Sequence, residues 1–81
     1  MSAKMFPIPA SATLNVKFDR QLSSNASVRL YDLTGNVVIS KEVPKGDSAN
    51  LNVRNIPSGI YIITIDEPKS GMAIKKKVVI N

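Results

Sequence analysis

Lys75, Lys76 and Lys77 are the residues whose type and spacing could do most chemistry in this chain. Three consecutive ammonium groups concentrate positive charge. In a strand, alternate side chains face opposite ways, so Lys75 and Lys77 share one face and Lys76 takes the other. The chemistry open to them is recognition of acidic partners through carboxylate, phosphate or anionic glycan groups. Val78-Val79-Ile80 follows directly and stops one residue short of Asn81. Terminal residues fray unless they are tied down, so this apolar triplet predicts an ordered last strand. Two readings of that strand stand side by side. Lysine on an edge strand guards against edge-to-edge aggregation. An open basic edge is equally a docking strand that a partner extends by β-augmentation.

Catalytic chemistry finds no comparable grouping. The chain has no cysteine and no histidine, which removes thiol nucleophiles, imidazole bases and most routes to a structural metal. Its six acids, Asp19, Asp32, Glu42, Asp47, Asp66 and Glu67, are expected at or beside turns and strand ends. Asp32 is expected to cap its own turn, and Asp66 and Glu67 to be solvated loop acids. No spacing suggests a serine–lysine dyad. No enzyme, metal or cofactor is expected on this basis. Single-strand nucleic-acid binders and glycan binders interleave charge with exposed aromatic platforms. Only Phe6, Phe18, Tyr31 and Tyr61 are available, with no tryptophan. Phe18 belongs to an apolar face and Tyr61 to a central strand, so neither nucleic acid nor sugar is the expected partner.

The elements that must position the lysines read as strands almost throughout. Eighty-one residues make one domain, 1–81, with no disulfide to assist its packing. The hydrophobic fraction of 43% argues against disorder, and the net charge of +5 sits partly in the lysine triplet. Residues 1–5 lead into prolines with no apolar run, so they read as no export leader, and nothing is long enough to span a membrane. The apolar period is two, with β-branched residues prominent. Leu14, Val16 and Phe18 mark a first strand, Val28 and Leu30 a second, residues 37–43 a third, and Leu51 and Val53 a fourth. Residues 59–65 are apolar on both faces, which predicts a central, doubly covered fifth strand. The C-terminal strand is the sixth.

Asp32-Leu33-Thr34-Gly35-Asn36 suits a type I turn with Gly35 left-handed, closing a hairpin. Ile56-Pro57-Ser58-Gly59 suits a turn with Pro57 in its second position, and residues 66–71 form the last hairpin loop. Pro7 and Pro9 cannot sit in a central ladder, so 1–10 is expected to be an extended segment or linker, with Phe6 and Ile8 tucked against an edge. Short strands with turns at this spacing predict an all-β, Ig-like antiparallel sandwich of six to seven strands.

Taken in order, Pro7-Ile8-Pro9-Ala10, then residues 28–35, Leu51-Asn52-Val53, residues 56–61 and residues 75–80 resemble a known family. They are similar to the type A C-terminal sorting domain of the type IX secretion system of Bacteroidota, over residues 5–81. One departure is Ile8, where that family usually has Asn between the prolines. The resemblance implies a folded secretion-signal domain behind a larger, N-terminally fused cargo. The cargo would pass through the periplasm to the cell surface or beyond it. Implied partners are the outer-membrane translocon, a shuttle protein and a sortase-like peptidase, with recognition centred on Lys75, Lys76, Lys77, Val78, Val79 and Ile80. Tyr31, Asp32, Gly35, Pro57, Gly59 and Tyr61, with Pro7 and Pro9, would be structural motif positions. A plain Ig-like spacer, adhesion or ligand-binding module of a surface protein is the alternative.

Overall fold

The computed structural model describes residues 3–6, 12–18, 25–44, 46–69 and 71–81, with Met72 defined through its backbone. Seven strands make up the described structure: β1 (Ala3–Phe6), β2 (Thr13–Phe18), β3 (Ala26–Tyr31), β4 (Val37–Val43), β5 (Ser48–Asn52), β6 (Gly59–Glu67) and β7 (Met72–Ile80). They form a three-stranded sheet, β1-β2-β5, and a four-stranded sheet, β4-β3-β6-β7, with every pairing antiparallel. This is the two-sheet sandwich that the alternation predicts.

Period-two patterning decides what each strand buries. Leu14, Val16 and Phe18 of β2 and Leu51 of β5 line the inner face of one sheet. Val28 and Leu30 of β3 join Tyr61, Ile63 and Ile65 of β6 and Ile74, Val78 and Ile80 of β7 on the other. These side chains form one continuous cluster. Full burial of each large aliphatic group contributes about 1.5–3 kcal/mol. With no cysteine to form a disulfide, this cluster holds the sheets together.

Several expectations are corrected. A strand precedes the prolines: Ala3 is buried and Met5 packs on the core, whereas Phe6 is 49% exposed. The register explains it, because Phe6 pairs with Asn15 on the outer face of the sheet. Phe6 therefore does not tuck against an edge, while Pro7, Ile8 and Pro9 lie outside the described residues. β6 is interior to its sheet but covered on one side only. Its outer face carries Ile60, 45% exposed, and half-buried Ile62, because no further layer packs there among the described residues. β6 also runs to Glu67, which pairs with Met72 and shortens the final loop. Glu67 shares the inward parity of Ile63 and Ile65 and is 3% exposed, so it is a buried acid and not a loop acid.

The β3–β4 connection is the turn the sequence predicts. Gly35 adopts φ 93°, a left-handed conformation that a side chain would strain, and its N–H donates to the Asp32 carbonyl at 3.1 Å. Asp32 Oδ1 accepts from the Thr34 hydroxyl at 2.7 Å and from the Thr34 and Asn36 N–H groups at 3.0 Å each. Those bonds, the Thr34 hydroxyl first, hold the Asp32 carboxyl below its ordinary range. Asp47, bonded to Lys17 at 2.8 Å, is lowered likewise by that bond and its charge. A carboxyl lowered in the folded state stabilises above its unfolded pKa, and that contribution disappears as pH falls through the folded value. Thermal melting is therefore expected to weaken below about pH 4. Asp32→Ala should flatten that acid dependence, and melting curves of both proteins at neutral and acid pH check it.

Candidate functional site

β7 lies outermost in its sheet, paired with β6 from Gly59↔Ile80 to Glu67↔Met72 and carrying no strand on its other side among the described residues. An edge strand leaves a row of backbone N–H and C=O groups without ladder partners. Such a row is what an added strand would pair with.

The lysine triplet divides across that strand. Lys75 and Lys77 pair with Thr64 and Ile62 and face outward, with exposed side chains. Lys76 pairs with Ile63 and therefore points toward the inside of the sandwich. It escapes burial by reaching across to the other sheet, where its Nζ donates to the Ala3 carbonyl at 2.9 Å. The opposite rim repeats the device. Lys41 of β4 shares the inward parity of Val28, and its Nζ donates to the Asn50 carbonyl of β5 at 2.9 Å. Both edges of the four-stranded sheet thus carry an inward-pointing lysine tied to the neighbouring sheet's backbone. Such residues oppose uncontrolled edge pairing. The geometry of an edge guard therefore fits Lys76, while Lys75 and Lys77 lie exposed on the outer face.

The apolar end of β7 divides in the same way. Val78 and Ile80 are each 1% exposed and belong to the core, whereas Val79 faces outward and is half-buried. A partner meeting β7 would reach Val78 and Ile80 through their backbone alone. Pro57, Gly59 and Tyr61 shape the entry to β6, where the Tyr61 hydroxyl donates to the Pro57 carbonyl at 2.6 Å. Gly59, at φ 157°, sits at the nearly extended start of that strand.

Tyr31, Asp32 and Gly35 come close to β7 in space. With Leu33, Ile62, Thr64 and Lys75 they line a shallow, mainly apolar depression on the outer face of the four-stranded sheet. Thr64 Oγ1 in this depression is buried and has no hydrogen-bond partner among the described residues. Sequence reasoning missed Thr64 and the Lys41 contact, because both depend on cross-strand register. Among the described residues, no three His, Cys, Asp or Glu groups are placed to hold a metal.

The family described as "Secretion system C-terminal sorting domain" matches residues 4–81. No curated protein matches the chain. A solved structure of PorZ superimposes with a TM-score of 0.80 at 18% identity, covering 99% of this chain and 11% of that one. That protein is described as an essential bacterial surface component of the type-IX secretion system of Porphyromonas gingivalis. The similarity at this identity establishes a common fold, and the present chain corresponds to a small fraction of the PorZ chain.

Proposed function

Because the chain belongs to the family of secretion system C-terminal sorting domains of type IX secretion, we propose that β7 is the element by which the secretion machinery recognises it. The domain is a sorting signal that sends an attached cargo across the outer membrane to the cell surface. The observation that carries the recognition reading is the nine-residue edge strand β7, with Lys75 and Lys77 turned outward and Lys76 withdrawn across the rim. Backbone pairing along this edge supplies affinity, and the two outward ammonium groups supply orientation and charge selectivity.

In this reading, the domain folds in the periplasm and a shuttle protein or the outer-membrane translocon adds a strand to β7. A sortase-like peptidase acts on the chain ahead of β1 once the cargo is outside. The domain contributes a folded handle and no catalytic group.

A transplant tests the proposal. Residues 1–81 are fused behind a reporter with an ordinary inner-membrane leader and expressed in a type IX-competent bacterium. The reporter is expected on the cell surface in that strain and in the periplasm of a strain lacking the translocon. Periplasmic retention in the competent strain, with the fusion intact and folded, would refute the reading in favour of a spacer or adhesion module.

A further inference from the structure

The two outer faces of the sandwich differ in kind. On the three-stranded sheet, the outward positions Lys4, Asn15, Lys17, Ser48 and Asn50 are polar, and Phe6, 49% exposed, is the apolar exception among the described residues. On the four-stranded sheet, the cross-strand rows are sorted by chemistry. One end is apolar, with Val37 50%, Ile60 45% and Leu33 69% exposed. The register then places Arg29 beside Thr64 and Thr64 beside Lys75, with Lys77 next to Ile62. The far end is acidic, with Glu42 opposite Ser27 and Ser27 opposite Asp66. Arg29, Lys75 and Lys77 make no ion pair with any described residue.

Building on β7 as the recognised strand, we infer that this outer face is a second docking surface for the same protein partner. The partner lays over it a surface with an apolar centre and with carboxylates opposite Arg29, Lys75 and Lys77. Three observations on the face select that occupant. The face is continuous with the β7 edge, so a protein that adds a strand there extends the sheet and reaches the margin of this side. Lys75 lines the depression, and a carboxylate is the group its ammonium would pair with there. Asp32 at the rim is held by the three bonds that its Oδ1 accepts within its own turn. Finally, the apolar, cationic and acidic rows lie side by side, a mixed pattern that suits a complementary protein surface. A uniformly anionic membrane would meet repulsion from Glu42 and Asp66.

The test uses the full chain fused to the surface-display reporter. Ile60→Glu and Leu33→Glu place a charge in the apolar rows, and Asn50→Glu places the same charge on the other sheet as a control. Thermal melting confirms folding, and Leu33→Glu, in an exposed turn, carries the test should Ile60→Glu disturb the strand. Each outer-face variant is expected to lower display on the order of tenfold, the effect of losing one well-buried interface anchor, while Asn50→Glu leaves it unchanged. A benzophenone side chain at position 60 is expected to crosslink in cells to the same protein that one at position 79 captures. Normal display of folded Leu33→Glu overturns this inference and leaves recognition by β7 standing, provided that disabling β7 still blocks display. An adduct of position 60 with lipid or with a second copy of the chain also overturns it.

Discussion

Removing Val79, Ile80 and Asn81 is expected to abolish surface display of a fused reporter and to destabilise the sandwich at the same time. Recognition through the last strand would by itself mean loss of export with most of the fold intact. Ile80 changes that expectation, because it is 1% exposed and packs in the same cluster as Ile63 and Val78. Truncating a buried isoleucine typically costs about 2–5 kcal/mol, and small domains have only about 5–15 kcal/mol in total. Urea unfolding of the truncated protein should therefore show a midpoint far below that of the parent. A truncation cannot separate folding from recognition, but Val79→Asp can. Val79 faces outward on the edge and is half-buried, so an aspartate there leaves the core filled and introduces negative charge beside Lys75 and Lys77. Melting near that of the parent combined with a roughly tenfold loss of display is expected. Full display of a folded Val79→Asp protein would argue against contact at this face of the strand.

Splitting the lysine triplet should produce two unlike phenotypes. Lys75→Ala with Lys77→Ala removes both outward charges and leaves the backbone of β7 untouched. Binding to the isolated shuttle protein is expected to weaken by about tenfold at low salt, with a shallower dependence on ionic strength, because only the screened component is lost. Lys76→Ala acts elsewhere. It removes the 2.9 Å bond to the Ala3 carbonyl, so amide exchange in β1 should accelerate while affinity changes little. Equal loss of binding in both variants would mean that the division between guard and contact residues is wrong. Binding titrations across a salt series, with exchange measured on the free protein, distinguish the cases.

Much of the architecture was legible because it follows from short-range patterning. The alternation in 14–18 and 28–30, the Asp32–Gly35 turn and the edge position of the last strand all reflect local rules of strand and turn chemistry. What was not legible depends on how strands meet. Ile62 and Ile63 are equally apolar in sequence, and only the packing of one face against the other sheet decides which is covered. Glu67 looked like a loop acid because the adjacent Pro68 and Gly71 signal a turn, yet the strand continues through it. Alternation sets Lys76 apart from Lys75 and Lys77, but not which face turns inward or that its partner is the carbonyl of Ala3, distant in sequence. The outer-face depression is hidden for the same reason: Tyr31, Ile62 and Lys75 are brought together by register and not by spacing.

The bridge from Lys76 to Ala3 also sets a geometric demand on whatever precedes this domain. It holds the start of β1 at the same rim as the proposed landing strip for the receptor. A bulky passenger joined immediately ahead of Ala3 would overhang that strip and obstruct the incoming strand. A flexible spacer would swing the passenger clear, and its minimum length should track the passenger's radius. Shortening such a spacer residue by residue should therefore impair export abruptly, at a longer spacer for larger passengers, with the sorting domain itself unchanged.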